Sequence, residues 1–142
     1  MCDISKKTKL KTKTVYKAVL KIKRNYYSIF SGKKLTVGRV EPLTKREARF
    51  YGRYVSRSPL NYFDEDDWAY NPEMVGRVSG FGKMKDAMIQ SNTCWAKGRG
   101  RVLRVVLGGD IMKGTCQKIN LDINWPNPTY AGTEIISMEE IQ

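Results

Sequence analysis

The chain alternates apolar and polar residues from position 15 onward, in the manner of a β-strand. Apolar side chains occupy every second position from Tyr16 to Ile22, which predicts a strand with one face on a core. The opposite face is predicted to carry a ladder of exposed lysines: Lys17, Lys21 and Lys23. A turn at Arg24-Asn25 would return the chain along residues 26–30, so we predict a hairpin over residues 15–30.

A second turn and a short helix are predicted after this hairpin. Residues 31–34 predict a turn that leads into a short strand over residues 35–37. Thr44 and Glu47 have the spacing of a capping box, with Thr44 as the N-cap. The helix that they start is amphipathic and ends before Ser58-Pro59. Its exposed face is basic, with Lys45, Arg46, Arg49 and Arg53.

The second half of the chain continues this mixture of helix and strand. Apolar residues at helical spacing predict a helix over residues 83–95, and alternating residues predict strands over 101–107, 119–123 and 133–137. Glycine or proline residues at 80–82, 108–110 and 125–128 predict turns between these elements. The fold class is therefore α+β: a single domain over residues 15–142, with a mostly antiparallel sheet of about six or seven strands and two short helices.

The first fourteen residues differ from the rest. Lysines alternate with threonines around the single apolar residue Leu10, and such a stretch offers no continuous face for a core. We predict a flexible basic N-terminal arm over residues 1–14, with two alternative roles: contact with a phosphate backbone, or none.

Composition excludes several classes of chemistry. The 142 residues contain no histidine, so Ser-His-Asp and Cys-His catalysis and His-ligated metals are ruled out. The three cysteines, Cys2, Cys94 and Cys116, are too few for a four-thiolate zinc site or a disulfide framework. We expect no metal and no cofactor. No secretory signal or stretch of about 20 apolar residues is present, so the expected location is the cytoplasm, with no membrane partner.

The formal net charge of +12 is concentrated at one end of the chain. Residues 1–57 hold 17 Lys and Arg against three acidic residues, a net charge of +14, whereas residues 58–142 hold 9 against 11, a net charge of −2. Such asymmetry is typical of a polyanion-binding surface, although exposed lysines also serve solubility.

Nucleic acid is the polyanion that this pattern favours. Tyrosines beside lysines in the hairpin resemble the stacking and charge-neutralising surfaces that bind single strands. Residues 97–101 add a Gly- and Arg-rich loop whose backbone could approach an anion, with a plain exposed turn as the alternative. The candidate nucleic-acid-binding residues are Lys6, Lys7, Lys9, Lys11, Lys13, Lys21, Lys23, Arg24, Tyr26, Tyr27, Lys33, Lys34, Lys45, Arg46, Arg49, Arg53, Lys97, Arg99 and Arg101.

An acidic and aromatic segment lies between the two predicted helices. It has no periodicity and predicts a long surface loop. Aromatic anchors within a charged rim favour a protein-contact loop; alternatives are a divalent cation site and an internal counter-charge for the basic face. The residues of this candidate loop are Phe63, Asp64, Glu65, Asp66, Asp67, Trp68 and Tyr70.

Few carboxylates are candidates for a general base. Glu134 and the pair Glu139-Glu140 lie near the C-terminal end. Adjacent residues of a strand point to opposite faces, so Glu139 and Glu140 are not expected to act together.

A set of short motifs resembles a group of small proteins encoded by bacteriophages and bacteria. The motifs, spread over residues 15–141, are Tyr16-Lys17-x-Val19, Tyr27-Ser28, Val37-Gly38, Gly80-Phe81, Ala87, Val102-Leu103-x-Val105, Gly109 and Ala131-x-x-Glu134-Ile135. In that group Gly-Phe is commonly followed by His, where this chain has Gly82. The resemblance implies a phage or mobile-element origin for a small accessory protein.

Proteins of this group sometimes resemble ADP-ribosyltransferases. Their His-Tyr-Glu set is excluded by composition, and the alternative set of Arg, a Ser-containing strand and paired Glu would fall on Ser56-Arg57-Ser58 and Glu139-Glu140. Three functions therefore stay open. The favoured function is binding of RNA or single-stranded DNA without catalysis. The others are a protein-binding inhibitor of a host or anti-phage defence factor, whose partner could itself hold nucleic acid, and a transferase.

Overall fold

The computed structural model describes residues 2–29, 31–54, 75–92, 96, 98–117 and 126–142. Two helices and nine strands occur in this part of the chain. Their bounds are β1 Cys2–Lys7, β2 Lys13–Ile22, β3 Asn25–Ser28, β4 Gly38–Arg39, α1 Lys45–Gly52, β5 Val78–Phe81, α2 Met84–Ser91, β6 Gly100–Gly108, β7 Met112–Gln117, β8 Pro126–Gly132 and β9 Glu134–Glu140.

All nine described strands belong to one antiparallel sheet. The strand order is β1-β7-β8-β5-β2-β6-β9-β4, and β3 pairs with β2 outside this path. β2 therefore has two neighbours on one side: β3 pairs with Val19 to Ile22, and β5 pairs at Tyr16. The α+β class and the mostly antiparallel sheet are confirmed, with more strands than predicted.

The centre of the sheet is buried on both faces. On one face, which we call the inner face, Val15 and Val19 of β2 pack with Leu103 and Val105 of β6. On the other, the helix face, Leu20 packs near Tyr51 of α1, and Val102 near Ala87 of α2.

This two-sided burial corrects the predicted lysine ladder. Lys17 lies on the inner face between Val15 and Val19 and is 7% exposed, whereas Lys21 is half-buried and Lys23 is exposed. The alternating pattern predicts one solvent-exposed face, but a central strand that is buried on both faces of the sheet has no solvent-exposed face.

The predicted flexible arm is also corrected. Cys2–Lys7 forms strand β1, which pairs antiparallel with β7 from Cys2↔Cys116 to Lys7↔Met112. β2 then begins at Lys13. Pairing with a neighbouring strand satisfies the backbone groups of β1, so a segment without a core face is still ordered by its main chain.

Three predicted turns and strands are placed differently by the structure. The predicted strand 35–37 is replaced by β4, which begins at Gly38. Gly80 lies inside β5 and not in a turn. A glycine is needed there because a Cβ would come within 2.5 Å of Val15 Cγ2. Pro126 and Pro128 lie in the part of β8 that pairs with β7 but not with β5. A proline there removes no hydrogen bond between β8 and β5.

Candidate nucleic-acid interface

The exposed face of α1 and the residue that follows the helix carry four exposed basic side chains. Thr44 is the N-cap, as predicted, and its hydroxyl accepts a hydrogen bond from the backbone N–H of Glu47 at 3.1 Å. In a capping box the Glu47 carboxylate would accept from the backbone N–H of Thr44, but here it accepts from the Thr44 hydroxyl at 3.3 Å. Tyr51 fixes the opposite side of the helix, since its buried hydroxyl donates to the carbonyl oxygen of Ile29. We call the four exposed basic residues the helix patch: Lys45, Arg46, Arg49 and Arg53.

No residue of the helix patch forms an ion pair with an acidic side chain among the described residues. Glu47 is the acidic residue of α1, and its carboxylate is bound by Lys33. The helix patch therefore presents four exposed positive charges that no acidic side chain of the described residues neutralises in an ion pair.

Arg99 extends this surface toward the end of β2. Its guanidinium lies over the Tyr54 ring, 5.6 Å from the centroid, and Tyr54 packs against Phe50 of α1 with a centroid distance of 5.2 Å. The carbonyl of Arg99 accepts a hydrogen bond from the N–H of Lys21 at 2.9 Å. Arg99 thus joins the C-terminal end of α1 to the end of the β2–β3 hairpin.

The turn of this hairpin adds two exposed cations. β2 and β3 pair from Val19↔Ser28 to Ile22↔Asn25. The predicted hairpin is therefore present, but its turn lies at Lys23 and Arg24, one residue earlier than the predicted turn at Arg24-Asn25. Lys23 has a φ of 58°, a left-handed conformation that is uncommon for a residue with a Cβ.

Two of the lysines that were predicted to bind nucleic acid, Lys21 and Lys33, form ion pairs with glutamates. The Lys21 ammonium lies 3.1 Å from a Glu140 carboxylate oxygen, and the Tyr26 hydroxyl donates to the same oxygen at 2.9 Å. The hydrogen bonds from Lys21 and Tyr26 lower the pKa of Glu140. The hydrogen bond between Lys21 and Glu140 also raises the pKa of Lys21. Lys33 lies 2.9 Å from Glu47, which also accepts from the backbone N–H of Lys34.

The two hairpin tyrosines have different surroundings. Tyr26 is half-buried and packs against the inner-face core, with Lys21 over its ring at 5.6 Å. Tyr27 is 5% exposed and lies between Phe50 and Tyr51, with centroid distances of 5.5 and 6.5 Å. The Tyr27 ring is therefore a core residue and has no free face for a base.

The Gly- and Arg-rich loop is held by one of its own arginines. Arg101 donates from Nη1 to the carbonyl oxygens of Gly98 at 3.3 Å and Gly100 at 2.8 Å. Its donors therefore orient the loop, while Arg99 remains exposed. Lys97 lies outside the described residues.

The lysines of the predicted arm lie on and after β1. Lys6, Lys7, Lys9 and Lys11 are exposed, and Lys13 is half-buried at the start of β2. Lys13 and Lys113 both approach the ring of Tyr130, at 4.7 and 5.8 Å from its centroid. Sequence reasoning missed Lys113 and Tyr130, since the latter lies close to two prolines that predicted a turn.

The predicted protein-contact loop lies outside the described residues, with all of its members: Phe63, Asp64, Glu65, Asp66, Asp67, Trp68 and Tyr70.

The C-terminal carboxylates are bound on opposite faces of β9, as expected for adjacent strand residues. Glu139 pairs with Arg104 at 3.2 Å, and Glu140 pairs with Lys21. A different carboxylate, that of Asp86 in α2, is 3% exposed and accepts no hydrogen bond from the described residues. Within the described part of the chain, no three Cys, Asp or Glu side chains lie close enough together to hold a metal ion.

Comparison with protein-family models, with curated proteins and with solved structures gave no match to this chain. None of the described helices combines the length and the apolar content that a membrane-spanning helix requires.

Proposed function

We propose that this protein binds nucleic acid without catalysing a reaction, with RNA or single-stranded DNA favoured over duplex DNA. The observation that carries the proposal is that the four exposed charges of the helix patch form no ion pair with a described acidic side chain. Four other basic residues, Lys21, Lys33, Arg77 and Arg104, are bound to acidic side chains, whereas the helix patch lies unpaired among the described residues. Phosphates of a nucleic acid supply the missing counter-charge, and their binding releases counterions from the strand.

The surroundings of the helix patch favour a single strand. Arg99 and Tyr54 form a cation–π pair beside it, and such aromatic and guanidinium surfaces stack on unpaired bases. α1 and α2 each span eight residues and are separated in the chain by β5. This order differs from that of a helix-turn-helix, which reads duplex DNA with its second helix.

We also propose an origin and a cellular location for the protein. The resemblance described above supports a small basic accessory protein of a phage or mobile element, acting in the host cytoplasm. A host or defence complex that carries nucleic acid would be a natural partner, because the helix patch would contact the nucleic acid of that complex.

The proposal is tested by fluorescence anisotropy with a labelled 20-nucleotide RNA, the same sequence as DNA, and a duplex, over a range of salt concentrations. If about five to eight phosphates are engaged, the slope of log K against log salt is expected to be about −4 to −7. Replacing both Arg46 and Arg49 with Gln should reduce the magnitude of the slope by about 2 and weaken binding to all sequences alike.

The matched control is a double variant that also loses two positive charges, but outside the helix patch. Lys83 and Lys85 are exposed at the start of α2 and make no ion pair with a described residue, so the double Lys→Gln variant should retain most of the affinity and the slope. Equal losses in both variants, or no binding at low salt, would contradict the proposal. The inhibitor function would be identified by a nuclease-resistant complex with a host protein, if that complex is lost when Asp64, Glu65, Asp66 and Asp67 are replaced by Ser. The transferase function would be identified by release of nicotinamide from NAD.

A further inference from the structure

A second basic group lies far from the helix patch and is organised around one aromatic ring. We call Tyr130, Lys6, Lys13 and Lys113 the Tyr130 cluster. The ammonium nitrogens of Lys13 and Lys113 lie 4.7 and 5.8 Å from the centroid of the same Tyr130 ring. Both distances are within the range of a cation–π interaction, which holds the two ammonium groups beside one side chain.

The sheet register produces this arrangement. Lys113 of β7 lies opposite Tyr130 of β8, and Lys6 of β1 lies opposite Lys113. Residues directly opposite in an antiparallel pair point to the same face, so the three side chains form a row across three neighbouring strands. Lys13, the first residue of β2, reaches the ring from another part of the sheet.

The charges of the Tyr130 cluster have no acidic partner among the described residues. Lys6, Lys13 and Lys113 make no ion pair with any of them, although Lys6 and Lys113 are cross-strand neighbours of like charge. Like charges at directly opposite positions repel each other and destabilise the folded state. A bound anion with more than one negative charge would remove this repulsion and would use ammonium donors that a π face does not satisfy.

We infer that the Tyr130 cluster is a binding site for phosphate groups. Lysine ammonium groups are compact charges that bind phosphate oxygens through charge-assisted hydrogen bonds, and the ring limits the positions that two of them adopt. The source of the phosphate is either a nucleic-acid strand or a free diphosphate, which share this chemistry.

The Tyr130 cluster is separate from the helix patch. Lys13 and Lys21 lie at the two ends of β2, and eight residues of strand span about 26 Å. Arg99, which extends the helix patch, hydrogen bonds to Lys21. The inference about phosphate therefore does not depend on the proposed function, and each can fail without the other.

The test is calorimetric titration of the whole protein with inorganic pyrophosphate at constant ionic strength. We expect one saturable site. Replacing Lys13 and Lys113 with Gln should weaken pyrophosphate binding about tenfold or more, because two charge-assisted contacts are lost. The double variant of Lys83 and Lys85 and the double variant of Arg46 and Arg49 should both bind pyrophosphate as the wild type does.

Two measurements keep the test independent of the stability of the variants. Circular dichroism melting establishes that each variant is folded. Amide chemical shifts of the wild-type protein, followed during the same titration, should change mainly around residues 6, 13, 113 and 130. Unchanged affinity in the Lys13 and Lys113 variant, shifts spread over the whole surface, or no saturable binding would each overturn the inference.

The source of the phosphate is distinguished with two labelled oligonucleotides that differ only in a 5′-phosphate. A preference for the phosphorylated strand that the Lys13 and Lys113 variant loses identifies a strand end. An equal loss of affinity for both strands identifies backbone phosphates. Pyrophosphate binding with no effect of the variant on either strand supports a free diphosphate as the ligand.

Discussion

Lys17 lies directly opposite Leu103 in the central strand pair β2–β6, and both side chains are buried. Val15 and Val19 flank Lys17 on the same face of the sheet. No acidic residue of the described chain pairs with its ammonium group. Burial lowers the pKa of Lys17 from 10.5 to about 8, because the charged form loses its hydration.

This buried amine makes the stability of the protein depend on pH. Between about pH 8 and pH 10.5 the unfolded chain holds a proton on Lys17 that the folded protein has released, so the free energy of unfolding rises with pH. Below pH 8 both states are protonated, and the cost of about 3 kcal/mol is present in full. We expect Lys17→Met to raise the free energy of unfolding by about 2 kcal/mol near neutral pH.

Urea denaturation of wild type and Lys17→Met across this pH range measures the effect. The difference between the two should be largest below pH 8 and should shrink as pH approaches 10.5. Lys11→Met, at an exposed position, is the control and should show a small difference that does not vary with pH. A pH-independent difference for Lys17→Met would show that its amine is hydrated in the folded state.

Glu140 neutralises the end of the hairpin that lies beside Arg99. Its carboxylate accepts hydrogen bonds from both Lys21 and Tyr26. Glu140→Gln removes this negative charge and leaves the Lys21 ammonium free for a phosphate. We therefore expect the variant to bind single-stranded nucleic acid about twofold more tightly at low salt, with the gain disappearing at high salt as screening increases.

The neighbouring residue provides the control for this variant. Glu139 pairs with Arg104 on the opposite face of β9, so Glu139→Gln changes the net charge equally but away from the hairpin. Anisotropy titrations should show a gain for Glu140→Gln and a smaller change for Glu139→Gln. An equal gain in both would mean that net charge, and not the position of Lys21, controls affinity.

The sequence predicted local features well and misjudged those that depend on distant strands. The N-cap at Thr44 and the opposite directions of Glu139 and Glu140 follow from backbone geometry within a few residues, and the structure confirms them. The burial of Lys17 depends on cover from both sides of the sheet, which alternation alone does not reveal. The grouping of Lys13, Lys113 and Tyr130 depends on strand order, and no pattern within one strand indicates it.

Tyr51 links α1 to the end of β3 and so positions the helix patch. Its hydroxyl is buried and donates to the carbonyl oxygen of Ile29. Tyr51→Phe leaves this carbonyl without that donor, which is expected to lower the free energy of unfolding by about 1–2 kcal/mol. Tyr54→Phe is the control, since the half-buried Tyr54 hydroxyl donates to no described residue. Urea denaturation compares them, and equal losses would argue against a structural role for the Tyr51 hydrogen bond.

Gly100 allows β6 to pass close to the C-terminal end of α2. A Cβ at this position would lie 1.9 Å from the carbonyl oxygen of Ser91, and a backbone oxygen at a helix end cannot turn aside as a side chain does. Gly100→Ala is therefore expected to lower the free energy of unfolding by about 2–3 kcal/mol. Gly52, the last residue of α1, has open space where a Cβ would lie, with no atom within 4 Å, so Gly52→Ala should raise stability by about 0.5–1 kcal/mol. Thermal denaturation of the two variants should show shifts of opposite sign; a stable Gly100→Ala protein would mean that β6 and α2 separate at little cost.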